Sequence, residues 1–141
     1  MNNVLVQWSD RFSVGSEEID TQHKHLVDLL NQFFDSFIEN QTEAKVEKIL
    51  EELKTYALVH FKTEEDLFAK YAYPDTIEHT EEHQKFADKV VEFTQKFHNH
   101  KAAISQEILT FMSNWLVHHI LISDKKYKAF FDLKGIDPNI K

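Results

Sequence analysis

Apolar side chains recur every three or four residues along four separate stretches of the chain. Because an α-helix turns once in about 3.6 residues, this spacing keeps the members of each stretch on one face. The pattern therefore predicts four amphipathic helices, at about residues 17–39, 42–71, 75–98 and 105–131.

Short polar breaks separate the four stretches. Asp75 precedes the third stretch as an expected N-cap, Ser105 is the expected cap of the fourth, and Gly135 marks its end. Connections of a few residues place successive helices antiparallel. We expect an all-α fold, an up-down-up-down four-helix bundle with an N-terminal arm at residues 1–15, forming a single domain over residues 1–141.

Composition narrows the class of protein. The net charge of −8 argues against a nucleic-acid partner or an anionic membrane surface. The absence of cysteine excludes disulfides, thiolate metal sites and thiol catalysis. No apolar run reaches the roughly 20 residues of a membrane span, and the first residues lack the pattern of a signal peptide. We therefore expect a cytoplasmic protein and, from its charge, a monomer.

Histidine is unusually frequent, with nine residues, and five of the nine fall within the apolar faces together with two carboxylates. A buried polar group without a partner costs a few kcal/mol, so seven such groups from four helices need a common partner. A metal centre supplies one. The candidate ligands are His23, His60, Glu64, His79, His83, His119 and Asp124.

A simpler explanation competes with each of these residues taken alone. One histidine in an apolar face is more often a hydrogen-bonded core residue than a ligand. Pairs four residues apart also arise by chance in a histidine-rich helical protein. The joint pattern favours the metal, because every helix contributes and each contribution is in phase with its apolar face.

The donor types indicate the metal and the number of ions. Imidazole nitrogen with carboxylate oxygen suits iron, zinc or manganese, and a single zinc ion would need only four ligands. Seven candidates therefore predict two metals. If Glu64, Asp124 and one solvent-derived bridge span both ions, a six-coordinate pair keeps one open position, which suits a small diatomic ligand.

His119 and Asp124 are five residues apart, which turns their side chains about 140° from each other on a regular helix. Either the last helix is locally widened, as at a π-bulge, or the carboxylate reaches round the helix. The sequence leaves both possibilities open.

The arrangement resembles the hemerythrins, in particular their bacterial single-domain branch. The resemblance extends from Trp8 to about Tyr127. The matching segments are Ile19-Asp20-x-Gln22-His23, His60-Phe61-x-x-Glu64-Glu65, Tyr73-Pro74 followed by His79-x-x-x-His83, and Trp115-Leu116-x-x-His119-Ile120-x-x-x-Asp124.

This resemblance implies two non-haem iron ions joined by an oxo or hydroxo bridge. One iron would be held by His79, His83 and His119, and the iron that binds dioxygen by His23 and His60. It also implies reversible dioxygen binding, in transport, storage or delivery, rather than enzymatic turnover.

Three apolar residues lie within about two turns of the candidate ligands: Leu30, Trp115 and Leu116. They are expected in the core, where they could also line a gas pocket.

A diiron enzyme or sensor acting on dioxygen, peroxide or nitric oxide is the alternative. Oxygen-activating ferritin-like centres use E-x-x-H pairs, and this chain contains none. No inward acid or base remains once the ligands are assigned, which also disfavours turnover. The other histidines are expected at the surface or at helix ends; they are His25, His98, His100 and His118.

Overall fold

The computed structural model describes residues 5–39, 43–97 and 101–139, and all of its regular elements are helical. The expected all-α fold is confirmed. The main elements are α1 (Glu17–Ile38), α2 (Glu43–Tyr71), α3 (Thr76–Phe97), α4 (Lys101–His118), a π-helical segment (His119–Asp124) and α5 (Lys125–Lys134). The last three are continuous and together form the fourth long helix of the bundle.

Each long helix packs against the next, and the fourth returns to contact α1. Since only a few residues join successive helices, neighbours run antiparallel and close a four-helix bundle. Two apolar clusters fill its interior. The larger cluster includes Leu30, Phe33 and Phe93, and the smaller one is centred on Phe68 and Tyr127.

The described part of the N-terminal arm, from Leu5 onward, is held against the bundle. A short 3-10 turn at Asp10–Phe12 buries the Phe12 ring in the larger cluster. The Asn31 side chain accepts hydrogen bonds from the backbone N–H groups of Leu5 and Val6, both at 2.9 Å, and donates one to the carbonyl of Val6 at 2.8 Å. Hydrogen bonds between the Asn31 side chain and the backbone therefore fix this part of the arm, and the apolar pattern does not predict them.

The helix ends differ from the predicted ends at several points. The fourth long helix begins at Lys101, so the prediction of Ser105 as its N-cap is wrong. Two alanines lie in that first turn, and alanine is the best helix former, which explains the longer helix. It also continues to Lys134 rather than 131 before Gly135 ends it in the left-handed conformation, at φ 66°. The predicted ends at residues 42 and 98 lie outside the described residues.

Within the described part of the chain, no helix combines the length and the apolar character that crossing a bilayer requires.

Candidate metal centre

The bundle buries all seven candidate ligands, none of them more than 3% exposed. They lie between the two apolar clusters. Phe61 of the larger cluster stacks on the His83 ring at 3.9 Å between centroids, and Phe68 of the smaller cluster contacts the His79 ring at 4.8 Å. The polar groups are thus enclosed in a layer within an otherwise apolar core.

Each helix delivers its ligands by helical periodicity. Residues four apart lie on the same face, so one inward face carries both members of each pair on α2 and α3. The ligands by element are His23 on α1, His60 and Glu64 on α2, His79 and His83 on α3, and His119 and Asp124 at the two ends of the π-helical segment.

The π-helical segment explains the five-residue spacing of His119 and Asp124. A π-helix forms hydrogen bonds between residues five apart, so residues at that spacing come onto the same face. His119 opens the segment and Asp124 closes it. Of the two possibilities left open by the sequence, the structure contains the widened helix.

The ligand atoms fall into two groups, within each of which all atoms lie less than 4.8 Å apart. The three-histidine group contains His79, His83, His119 and Glu64. The two-histidine group contains His23, His60, Glu64 and Asp124. Glu64 belongs to both groups, so its carboxylate could serve two metal ions.

Asp124 also faces both groups. Its Oδ1 lies 3.0 Å from Nε2 of His79 and 3.0 Å from Nε2 of His119. Its Oδ2 lies 2.9 Å from Nε2 of His23, in the other group. The two carboxylate oxygens therefore point at different histidine sets.

Several of these polar atoms form no hydrogen bond of acceptable geometry among the described residues, even where another candidate ligand lies within 3.0 Å. A buried polar atom without a hydrogen bond costs free energy, so many such atoms in one place are expected only where a bound group, such as a cation, satisfies them. The atoms are both ring nitrogens of His23, Nε2 of His60, Nε2 of His79, Oε2 of Glu64 and both carboxylate oxygens of Asp124. All are nitrogen and oxygen donors aimed at common points, which is the donor set that an iron ion accepts.

The protonation states reflect the same crowding. Burial would raise the pKa of Glu64, but the surrounding histidines, beginning with His60, hold it well below its usual range. Burial would likewise lower the pKa of His79, but the adjacent carboxylates of Asp124 and Glu64 raise it to about 9. For His60 burial prevails and the pKa is lowered. Without a metal, protons on histidine compensate the buried carboxylates.

A set of outer polar contacts fixes the ligand rings. Nδ1 of His60 lies 2.7 Å from Oε1 of Gln22, and the Gln22 amide donates to the Thr63 hydroxyl at 3.0 Å. Thr63 in turn donates to the carbonyl of Val59 at 3.2 Å. This series of hydrogen bonds turns the amide oxygen of Gln22 toward His60. The contact favours a proton on Nδ1 of His60 and leaves Nε2 free for a metal.

Carboxylates make the corresponding contacts to two other ligands. Nδ1 of His83 lies 2.9 Å from Oε2 of Glu65, and Nδ1 of His119 lies 3.5 Å from Oε1 of Glu82. The Ser123 hydroxyl donates to both oxygens of Glu82, at 2.7 and 2.8 Å. Burial would raise the pKa of Glu82, but the bonds from His119 and Ser123 lower it to about 2.

An apolar cavity of about 10 Å³ adjoins both groups and reaches His60 and His119. That is room for roughly one water-sized molecule. Aliphatic and aromatic side chains line the rest of it, including the expected Leu30, Trp115 and Leu116. Trp115 also stacks on the His119 ring at 4.4 Å between centroids.

The expectation that no inward acid would remain is wrong, because Tyr127 lies at the site. Its ring is 5.8 Å from that of His79 and its side chain is 1% exposed. Burial, followed by the charges of Glu64 and Asp124, raises its pKa well above the usual value. A phenol so shifted stays protonated near neutral pH. In the sequence Tyr127 could be taken only as an apolar member of the last helix.

The remaining histidines take no part in the site where they are described. His25 and His118 are exposed, as expected, and the His25 ring contacts Tyr56 at 4.2 Å between centroids. His98 and His100 lie outside the described residues.

Comparison with known proteins gives a consistent result. The family described as "Hemerythrin HHE cation binding domain" matches residues 14–131. A "Hemerythrin-like protein" of Naegleria gruberi is 36% identical over 122 residues, which cover 86% of this chain and 90% of that protein. A "Bacteriohemerythrin" of Clostridium acetobutylicum is 34% identical over 124 residues, covering 85% of this chain and 96% of that protein.

Solved structures agree with the sequence matches. The crystal structure of a wild-type hemerythrin superposes with a TM-score of 0.80 at 32% identity, covering 89% of this chain and 97% of that one. Matches of this extent in sequence and in fold confirm the resemblance to the hemerythrins. The chain belongs to the hemerythrin family.

Proposed function

We propose that this protein binds dioxygen reversibly at a pair of iron ions, in transport, storage or delivery of the gas. The observation that carries the proposal is the pair of overlapping ligand groups that share Glu64 and lie beside a small apolar cavity. A structural metal site would have no use for such a cavity.

The donor set supports a specific division of ligands. His79, His83 and His119 would hold one iron, and His23 and His60 the other. Glu64 and Asp124 would bridge the two ions, together with an oxo or hydroxo group. A pair of iron ions, when bound there, would supply the electrons for reversible dioxygen binding.

The protein's own contribution is to limit what else can react. The cavity has room for one small molecule, and apart from His60 and His119 its lining is apolar. Such a lining excludes water and offers no acid to the bound gas. Tyr127, the buried acid at the site, holds its proton tightly because its pKa is raised. Release of unreduced dioxygen is therefore favoured over turnover.

The proposal extends to the setting in which the protein works. Dioxygen is its ligand, and the net charge of −8 supports a monomer that repels copies of itself in the cytoplasm. The related proteins named bacteriohemerythrin and hemerythrin are consistent with this function.

An optical experiment tests the function directly. Protein loaded with iron and reduced without oxygen should gain a visible absorption band in air and lose it again under vacuum, over repeated cycles. Iron is counted in the same samples, with two per chain expected. A band that decays at once, with consumption of an added reductant, peroxide or nitric oxide, would instead establish the enzyme or sensor.

A further inference from the structure

The two ligand groups differ in the charge of the residues that contact their outer nitrogens. In the three-histidine group, His83 and His119 each have a carboxylate at Nδ1, from Glu65 and Glu82. In the two-histidine group, His60 has the neutral amide of Gln22 at 2.7 Å. His23 turns its Nε2 toward Asp124 at 2.9 Å, and its outer nitrogen, Nδ1, has no hydrogen-bond partner in the part of the chain that the structure describes.

The difference has an electronic consequence for any bound cation. A carboxylate that accepts the Nδ1 proton of a histidine makes the other nitrogen a stronger donor, and its charge also attracts the cation. A neutral amide orients the ring without adding charge. Two carboxylates, Glu65 and Glu82, therefore add negative charge behind the ligands of the three-histidine group. No carboxylate contacts the outer nitrogen of His23 or His60 in the two-histidine group among the described residues.

We propose that Glu65 and Glu82 are positioning residues that make the three-histidine group the tighter of two unequal cation sites. The inference rests on the proposed function, since it assumes that both groups hold a cation. It predicts that the two ions enter in sequence, the three-histidine group first. It also predicts that the iron in that group is the one whose higher charge state is better stabilised.

Partial exposure does not remove the effect of Glu65. Its side chain is 38% exposed, whereas His83 is 3% exposed, so the contact lies at the edge of the protein interior and is only partly screened by solvent. Glu82 is also held by the Ser123 hydroxyl, which lies 2.7 and 2.8 Å from its two oxygens. The carboxylate of Glu82 is thus held by two residues, and that of Glu65 by its 2.9 Å contact with His83.

Titration of metal-free protein with Co²⁺ against a competing chelator tests the inference. A His23→Ala background disrupts the two-histidine group and leaves one Co²⁺ per chain. In that background Glu65→Gln, which removes the charge but keeps the shape, should weaken Co²⁺ binding on the order of 10–100-fold. Glu82→Gln should act in the same direction. In the iron-loaded protein Glu65→Gln should also raise the reduction potential, which loss of packing alone would not do.

The neighbouring acid Asp66 provides a matched control. Asp66 is 68% exposed and pairs with Lys62 at 3.0 Å, so Asp66→Asn removes the same charge without a ligand contact. It should change Co²⁺ affinity by no more than about twofold, as for a screened surface charge. Circular dichroism checks that every variant remains helical.

The outcomes separate this inference from the function on which it rests. Two tightly bound cations whose affinities do not respond to Glu65→Gln or Glu82→Gln would overturn the inference alone. An equal loss from Asp66→Asn would overturn it too, because the effect would then follow net charge. Wild-type protein that binds no cation would overturn the proposed function and the inference with it.

Discussion

Several of the buried site residues would be destabilising on their own, because the interior satisfies their polar atoms poorly. Neither ring nitrogen of His23 forms a hydrogen bond of good geometry among the described residues, and neither carboxylate oxygen of Asp124 does, although Oδ2 of Asp124 lies 2.9 Å from Nε2 of His23. Such residues cost a few kcal/mol of stability unless a bound ligand compensates them. The role of an individual histidine is therefore best tested by measuring the metal content of a variant that lacks it.

Replacement of His60 by alanine should lower the iron content from two per chain toward one. The reason is that the two-histidine group would keep a single imidazole, too few donors for a stable site. Iron and protein are measured on the same purified sample. His25→Ala is the control, because His25 is exposed and should leave two irons bound. Two irons in the His60 variant would contradict the ligand assignment.

Tyr73 gives a prediction at high pH. Burial, with the nearby charge of Asp75, raises its pKa from 10.0 to about 12. A raised pKa means that the folded state favours the protonated phenol. This contribution to stability is complete below pH 10 and is lost as the pH rises toward 12. Wild-type protein should therefore lose free energy of unfolding over that range more steeply than Tyr73→Phe. Urea unfolding at several pH values measures both, and parallel curves would refute the prediction.

The π-helical segment shows which feature of a helix can be predicted from the sequence. The spacing of His119 and Asp124 is incompatible with one face of a regular helix, so the sequence signals an irregularity. It cannot decide between a widened helix and a carboxylate that reaches round, because that depends on how the neighbouring helices pack. Helix starts are uncertain for a related reason. Ser105 is a suitable cap, but the preceding alanines continue the helix at little cost.

Two helix ends adopt the same left-handed geometry with different residues. α5 ends at Gly135, at φ 66°, and α2 is followed by the exposed Ala72 at φ 52°. In each case the next N–H bonds back to the helix, Ile136 to Phe131 at 2.9 Å and Tyr73 to Phe68 at 3.0 Å. Left-handed backbone is unfavourable for a residue with a Cβ.

Ala72→Gly should therefore stabilise the protein by about 0.5–1 kcal/mol, and Gly135→Ala should destabilise it by a similar amount. Chemical unfolding monitored by circular dichroism measures both. Ala129→Gly is the matched control, because Ala129 is exposed within α5 and glycine there should destabilise. If Ala72→Gly destabilised the protein as Ala129→Gly does, that result would contradict the left-handed conformation of Ala72 after α2.

At the level of the whole molecule, the site lies where four helices meet between two apolar clusters. The sequence predicted the seven inward residues because each is in phase with the apolar face of its own helix. It could not predict the outer contacts of Gln22, Glu65 and Glu82. Those residues lie beside the apolar faces, and their partners come from other helices, so the contacts depend on the rotation and offset of one helix against the next. Tyr127 could not be predicted as a site residue, because a tyrosine on an apolar helix face has the same sequence pattern as a residue that only packs in the core.

The same arrangement predicts that the stability of the whole bundle depends on a bound cation. Without a cation the centre of the molecule contains two buried carboxylates, Glu64 and Asp124, compensated mainly by protons on histidine. A cation that binds the folded chain alone stabilises it by mass action, by about 2.7 kcal/mol per site when the free ion exceeds the dissociation constant 100-fold. With both sites filled, anaerobic Fe²⁺ should therefore raise the thermal midpoint of metal-free protein by roughly 10–20 °C.

Magnesium is the control for this effect, because Mg²⁺ prefers oxygen ligands and retains its water, so a histidine-rich site should not bind it. The His60→Ala variant should keep only part of the gain with Fe²⁺, since one of the two ligand groups is impaired. Equal midpoints with Fe²⁺ and Mg²⁺ would mean that the buried carboxylates are compensated within the protein itself. The cluster would then be a structural network of histidines and carboxylates, and the bundle would not need a metal to be complete.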